Sequence, residues 1–494
     1  MGISAAQVAR VLGITTAFAS LRQGATFTLP QRIAVVAQGA TSATYAATKR
    51  QVTSALEAAG IYGFGSPIHL ICMMLFPVNG DGVGSIPVTI YPLSDHASGV
   101  AATGSFTPTG TSTTAASLRV RVGGILSEAF TLAVGATPAD AVAAITTAIS
   151  AVLEMPALAV DNASTSCDLT AKWEGTSGND IALEVIGTPG DGMTIAVTAM
   201  NGGLTNPDVT TALDQVGDVW ETMLINGLSI SDTVALDAFS TWGEGRWGTI
   251  THKPAVVFTG NTESDRATAT AGTTARNTDR TNVQLVAPGS KSLPFMVAAR
   301  QLARIVVQAQ DNPPTDYGAK RVTGILPGTD GEQWDSTARD AAVKAGSSTV
   351  SVRDGEVRLE DIVTMYAPTG DPSPAYRFVV DIVKLQQVIY NLSLIFASEE
   401  WAGAPLIPDE QPTRNSNARK PKHARTAVNN MIESLALDAI LAAPKAAKKR
   451  TTTAIDSENA KRMNTKVVVA LSGNTNVKDV ELDFGFFYGT QAAA

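Results

Sequence analysis

The sequence predicts an α/β chain, α+β overall: a split α/β core carrying an inserted β-rich domain, then a C-terminal α+β domain, with an extended β arm at each end. Three observations carry this reading. Buried-strand patterns alternate with helical ones over 31–91 and again over 205–310. The stretch between them, 92–204, is Thr-rich, Gly-punctuated and alternating. The chain closes on "VELDFGFFYGTQAAA" (480–494), where Val480, Leu482, Phe484, Phe486 and Tyr488 take every second position. That is the period of a strand with one apolar face.

Residues 1–30 form an N-terminal arm: a helical or coil segment, then "GATFTLP", in which Ala25, Phe27 and Leu29 alternate with threonines until Pro30 closes the strand. Within 31–91, "RIAVVAQG" (32–39) reads as a buried strand and "TYAATKRQVTSALEAAG" (44–60) as a helix capped by Gly60. "PIHLICMMLF" (67–76) reads as a second buried strand and "SIPVTIYPL" (85–93) as a third. Strand–helix–strand order of this kind predicts a sheet with parallel members. The inserted domain holds one helix over 137–153, with Thr137 as N-cap, Pro138 in the first helical position and Asp140 in the first turn.

The core resumes with strands at 221–227, 253–260 and 281–289 and helices at 231–245, 262–272 and 292–310. A Pro/Gly loop (311–334) opens the C-terminal domain, assigned to 311–470. It contains a helix at 335–345, strands within "STVSVRDGEVRLEDIVTMYAP", and a long helix at 374–400 whose apolar stripe runs Phe378, Ile382, Leu385, Ile389, Leu392, Phe396. A further helix at 426–444 sets Val428, Met431, Ile432, Leu435 and Leu441 on one face. Residues 471–494 form the C-terminal arm.

Composition narrows the function. The chain has 494 residues, 44% hydrophobic, with mean hydropathy +0.09, enough to bury a large core. Charged residues are 17%, below the usual quarter or so, and small residues fill the gap, as suits packing against neighbours. A net charge of −8 argues against general nucleic-acid binding, which needs a basic footprint. Cys72 and Cys167 stand far apart with no metal spacing, which fits a reducing compartment and no disulfide. No apolar run reaches the roughly 20 residues of a membrane span. The N-terminus makes a poor signal peptide, so synthesis in the cytoplasm with no membrane insertion is expected.

The search for catalytic chemistry finds little. His69, His96, His252 and His423 are unpaired in helical spacing, and His69 reads as a core histidine. "NGDGVGS" (79–85) is followed by a Pro-containing strand, where a phosphate cradle needs a helix N-terminus; a tight turn is the simpler reading. No catalytic residue, cofactor or metal is assigned. Two basic clusters stand out: Arg414, Arg419, Lys420, Lys422 and Arg425, then Lys445, Lys448, Lys449 and Arg450, flanking the 426–444 helix. They read either as solvated loop charge or as a dock for an acidic protein surface.

At "AGSSTVSVRDGEVRLEDIVTMYAP" (345–368) the chain resembles contractile tail sheath proteins, in particular those of Mu-like bacteriophages. The long helix that follows, the late apolar helix, the "VELDFGFFYG" end, the split α/β core and the β-rich insertion share the resemblance. It implies a structural subunit that polymerises helically around a tail tube and contracts to drive the tube through the host cell envelope, in a virion tail assembled in the host cytoplasm. It implies as partners neighbouring copies of itself, the tail tube protein, and baseplate and tail terminator proteins. It also implies that both terminal strands are exchanged between subunits, so that Val480, Leu482, Phe484, Phe486 and Tyr488, and likewise Ala25, Phe27 and Leu29, make subunit contacts by β-augmentation. The 311–470 domain would lie toward the tube, with Arg419, Lys420, Lys422, Arg425, Met431, Leu435, Lys448 and Lys449 as candidate tube-facing residues, and 92–204 would face outward.

Burying five apolar side chains on the C-terminal arm is worth at most roughly 7–15 kcal/mol, against about 4–15 kcal/mol for association and ordering. One arm is near balance, and many tethered arms are strong through effective concentration. Other readings stay open: an ordinary hairpin of 466–470 with 479–488 within one subunit, an α/β nucleotide-binding enzyme, or a capsid or adhesion protein.

Overall fold

Seven strands build the central sheet of the computed structural model, which describes residues 27–370, 375–476 and 481–482. Their spatial order is Ser347–Ser348, Asn282–Val286, Val256–Asn261, Met223–Asn226, Ile33–Gln38, Val88–Leu93, Arg50–Val52. All neighbours run parallel except the last strand, which is antiparallel to Val88–Leu93. Every residue of Ile33–Gln38 is buried. The period of two explains how. Ile33, Val35 and Ala37 face one apolar cluster with Ile68, Ile71 and Leu302. Ala34 and Val36 face the opposite one with Leu213 and Phe239. A parallel strand covered on both faces is a continuous apolar run, which is why these strands are visible in the sequence.

The same property misleads at 67–76. The strand expected there is a helix, Pro67–Leu75, started by Ser66, whose hydroxyl accepts the His69 amide, with Pro67 in the first turn. An all-apolar run has no readable period when every face is buried. The expected 44–60 helix is also shorter and later, Ala55–Tyr62. Its cap is Gly63 at φ 88°, and Gly60 lies inside it. Arg50–Val52 is a strand.

The chain leaves the sheet after Leu93 and returns at Met223. The intervening segment forms an antiparallel four-stranded sheet, Met193–Asn201, Ala101–Gly110, Ser166–Glu174, Ala157–Asn162, and a second group around Ala116–Val122. Thr137 and Asp140 cap the helix Pro138–Ser150 reciprocally. The segment packs on the central layer: Trp173, fully buried, meets Phe295 edge-on at 6.0 Å.

Three helices position the two ends of the described chain. Helix α1 (Pro294–Asp311) covers one sheet face. Helix α2 (Val379–Phe396) begins in the main core through Val379, Ile382 and Val383. Its later half packs through Val388 on helix α3 (Pro421–Leu437) in a smaller cluster. The hairpin Val350–Arg353 with Glu356–Leu359 turns on Asp354 and Gly355, both at positive φ, as a two-residue hairpin requires. Edge strand Ser347–Ser348 belongs to the central sheet, so that sheet reaches past the boundary expected at 310.

Candidate assembly surface

The Gly-rich 79–85 loop is a turn held by α1 and leads into the strand Val88–Leu93. Arg300, only 2% exposed, donates to the carbonyls of Asp81, Met74 and Thr323 at 2.9, 3.3 and 2.5 Å. Arg304 pairs with the Asp81 carboxylate at 3.1 Å. His69 is buried; its Nδ1 accepts the Gly65 amide at 2.9 Å, and burial pushes the imidazole down to about 4. Cys72 and Cys167 are free and buried, which pushes both thiols up. Among the described residues no group of three or more His, Cys, Asp or Glu side chains could hold a metal ion.

The surface built by α2 and α3 is the more informative one. The 27–32 segment precedes the first strand and is held by side chains. The amides of Phe27, Leu29 and Gln31 donate to Asn391 Oδ1 (2.8 Å), Gln387 Oε1 (2.7 Å) and Gln310 Oε1 (2.7 Å). Asn391 Nδ2 returns a bond to the Phe27 carbonyl at 2.9 Å. Alternate N–H groups are satisfied, as on a strand edge, but by amides presented from helices. Leu29 is buried within the chain, whereas Phe27 is 59% exposed. Phe27 stands at a groove of about 500 Å³ between α2 and α3, lined by Leu394, Ile395, Trp401, His423 and Met431. Ala25 lies outside the described residues.

The other end of the chain meets the same helix. Lys384, fully buried, donates to the Ser472 carbonyl and to Asn474 Oδ1 at 2.6 Å each, and to Asp381 at 3.0 Å. Asn474 Nδ2 donates to the Pro314 carbonyl at 2.8 Å, and Asn476 Nδ2 to Asp361 at 3.2 Å. Leu482 is 77% exposed. Val480, Phe484, Phe486 and Tyr488 lie outside the described residues, and so does most of the alternative hairpin. Of its inner strand, Lys466 ends a strand paired with Thr452–Ile455, and Ala470 pairs with Ala442.

The candidate tube-facing residues divide. Met431 and Leu435 are 3% and 1% exposed and belong to the core cluster with Val388, Val428 and Ile432; Leu435 offers no surface, and Met431 only a trace at the floor of the Phe27 groove. Lys420 is buried, and its ammonium closes the preceding loop on the carbonyls of Asp409 and Gln411. Arg419 donates to the Glu400 carbonyl at 2.8 Å, and Lys448 pairs with Glu433. Lys422, Arg425 and Lys449 are exposed. Burial first, and then the neighbouring cations Arg419, Lys422 and Lys420, hold His423 below its ordinary value.

By length and composition α2 could cross a bilayer. Its Lys384, Gln387 and Asn391 are instead buried against the chain's own backbone. These three residues are the ones sequence reasoning passed over. Their signal was present as polar side chains at i, i+3 and i+7 of an apolar helix.

No family model matches the chain. In sequence it is 26% identical over 362 residues to a Mu-like prophage FluMu tail sheath protein of Haemophilus influenzae, covering 72% of each chain. In fold it is similar to the crystal structure of the sheath tail protein Lin1278 from Listeria innocua. That match has a TM-score of 0.50 at 11% identity and covers 91% of this chain and 94% of that one.

Proposed function

We infer that this chain is a contractile tail sheath protein of the Mu-like type, a structural subunit that polymerises helically around a tail tube and contracts to drive the tube through a host cell envelope. The observation that carries the reading is the sequence relationship over 362 residues to a tail sheath protein. The mixed α/β architecture of the described residues agrees with it.

The physical requirement is two packings of the same rigid subunits with different free energies. The doubly covered sheet supplies a rigid body. Linkage between bodies falls to the chain ends, whose strand patterns fit exchange with neighbouring copies. The basic surface around the start of α3, reduced to Lys422, Arg425 and Lys449, is our candidate contact to an acidic face of the tube protein. Residues 92–204 face outward in this reading. Baseplate and terminator proteins hold the two ends of the polymer, the assembly forms in the host cytoplasm, and the mature location is the virion tail. Work is stored in subunit packing, with no catalysis or cofactor.

Electron microscopy of the purified chain at rising concentration tests this. Hollow helical tubes are expected. Compact monodisperse particles at every concentration, together with a calorimetric signal for nucleotide, would replace the sheath with an α/β nucleotide-binding enzyme.

A further inference from the structure

Helix α2 is apolar in composition yet buries Lys384, Gln387 and Asn391 along one face. Residues at i, i+3 and i+7 share a face, and the 1.5 Å rise per residue spreads these three over ~10 Å of axis. Each of the three makes at least one hydrogen bond with the backbone or side chains of a chain end, beside the bonds of Lys384 to Asp381 and of Asn391 to the Gln387 carbonyl within the helix. Asn391 and Gln387 take the amides of Phe27 and Leu29, and Lys384 takes the Ser472 carbonyl and the Asn474 side chain. Apolar residues would fill the same space without desolvating a charge, and Gln387 Nε2 is left with no partner among the described residues. Stability alone is a poor reason for such a stripe.

We propose that the Lys384–Gln387–Asn391 stripe is a common anchor that fixes the roots of both terminal arms to one rigid helix, setting the spacing and direction with which the two arms leave the subunit. The proposal deepens the sheath reading and rests on its arm exchange. An arm that starts from a fixed point searches a small volume for its neighbour, so its effective concentration is high. An arm freed at its root searches a larger one. Because one helix holds both roots, any reorientation of the subunit carries the two arms together, so that incoming and outgoing links keep their geometry while the bodies repack. The three side chains are positioning residues, acting through the arms.

The test uses the full-length chain with Asn391→Leu, Gln387→Leu and Lys384→Met, and with Lys384→Arg as the conservative control. Amide hydrogen exchange is read on the unassembled protein, and tube formation by microscopy and pelleting. Exchange at Phe27 in Asn391→Leu, and at Leu29 in Gln387→Leu, is expected to rise at least tenfold. The amides of Ile33–Gln38 should be unchanged, and tube yield at fixed concentration should fall at least tenfold. In Lys384→Met the 472–476 peptide should exchange faster, and Lys384→Arg should recover protection in part. Unchanged exchange at Phe27 and Leu29 overturns the anchor. Freed roots with wild-type tube yield overturn its role in assembly. Should Lys384→Met fail to fold, the two amide variants decide the matter. A wild-type chain that forms no tubes is a failure of the sheath reading, and the exchange data still decide the anchor.

Discussion

Leu435 separates two accounts of α3. As a tube-facing residue it would be dispensable to the free subunit; the structure makes it 1% exposed, packed with Val388, Val428, Ile432 and Leu441. Leu435→Ala removes three buried carbons from a cluster of eight buried residues. Leu→Ala in cores costs about 2–5 kcal/mol, and a small cluster that collapses partly around the gap belongs in the lower half, about 2–3.5 kcal/mol. With a urea slope of about 2–3 kcal/mol per molar, the unfolding midpoint should fall by about 1 M. Urea unfolding of the unassembled chain, followed by circular dichroism, measures this. Lys449→Ala, at an exposed position, is the control and should lie within about 0.5 kcal/mol of wild type. A Leu435→Ala midpoint within about 0.2 M of wild type would refute the packing argument and return Leu435 to the surface.

Two glycines predict opposite signs. A Cβ at Gly260 would sit 1.7 Å from the Pro294 carbonyl oxygen, where α1 meets the sheet, so Gly260→Ala should cost about 3 kcal/mol or more. In the helix Arg266–Ala275, Gly272 has nothing within 4 Å of such a carbon, and Gly272→Ala should gain about 0.5–1 kcal/mol; thermal melts showing the same sign for both would contradict the close approach. His69, depressed to about 4, binds fewer protons folded than unfolded between its two values. Its contribution is therefore complete above about pH 6.5 and is lost toward pH 4, up to about 3 kcal/mol. Stability measured against pH should show this fall, and His69→Asn should flatten it; Glu154 and Lys172 are the charges acting on the ring.

How much was legible depended on what each residue packs against. Ile33–Gln38, Met223–Asn226, Val256–Asn261 and Asn282–Val286 were readable because a strand buried on both faces is a short apolar run bounded by turn residues. The helix Pro67–Leu75 shares that composition, and only the Ser66–Pro67 start distinguished it. In α2 the apolar stripe was readable, but Leu385 and Ile389 are half-buried while Lys384, Gln387 and Asn391 are buried. Their partners, mostly backbone atoms, lie 364 and 358 positions away at one end and 88 and 90 at the other, and backbone carries no sequence pattern. Met431 and Leu435 were seen to share a face with Val428 and Ile432, but which body that face covers is a tertiary fact. The basic residues were legible as a cluster; that Lys420 and Arg419 close a loop depends on carbonyl positions in 400–411.

The most direct test of the central claim is microscopy of the full-length chain beside a chain ending at Asp479, which lacks the alternating strand. The account predicts hollow helical tubes from the full-length protein and none from the shortened one, with both folded by circular dichroism. Tubes of equal yield and regularity from both would contradict the C-terminal arm as the link between subunits. Compact particles from both at high concentration would contradict the sheath itself.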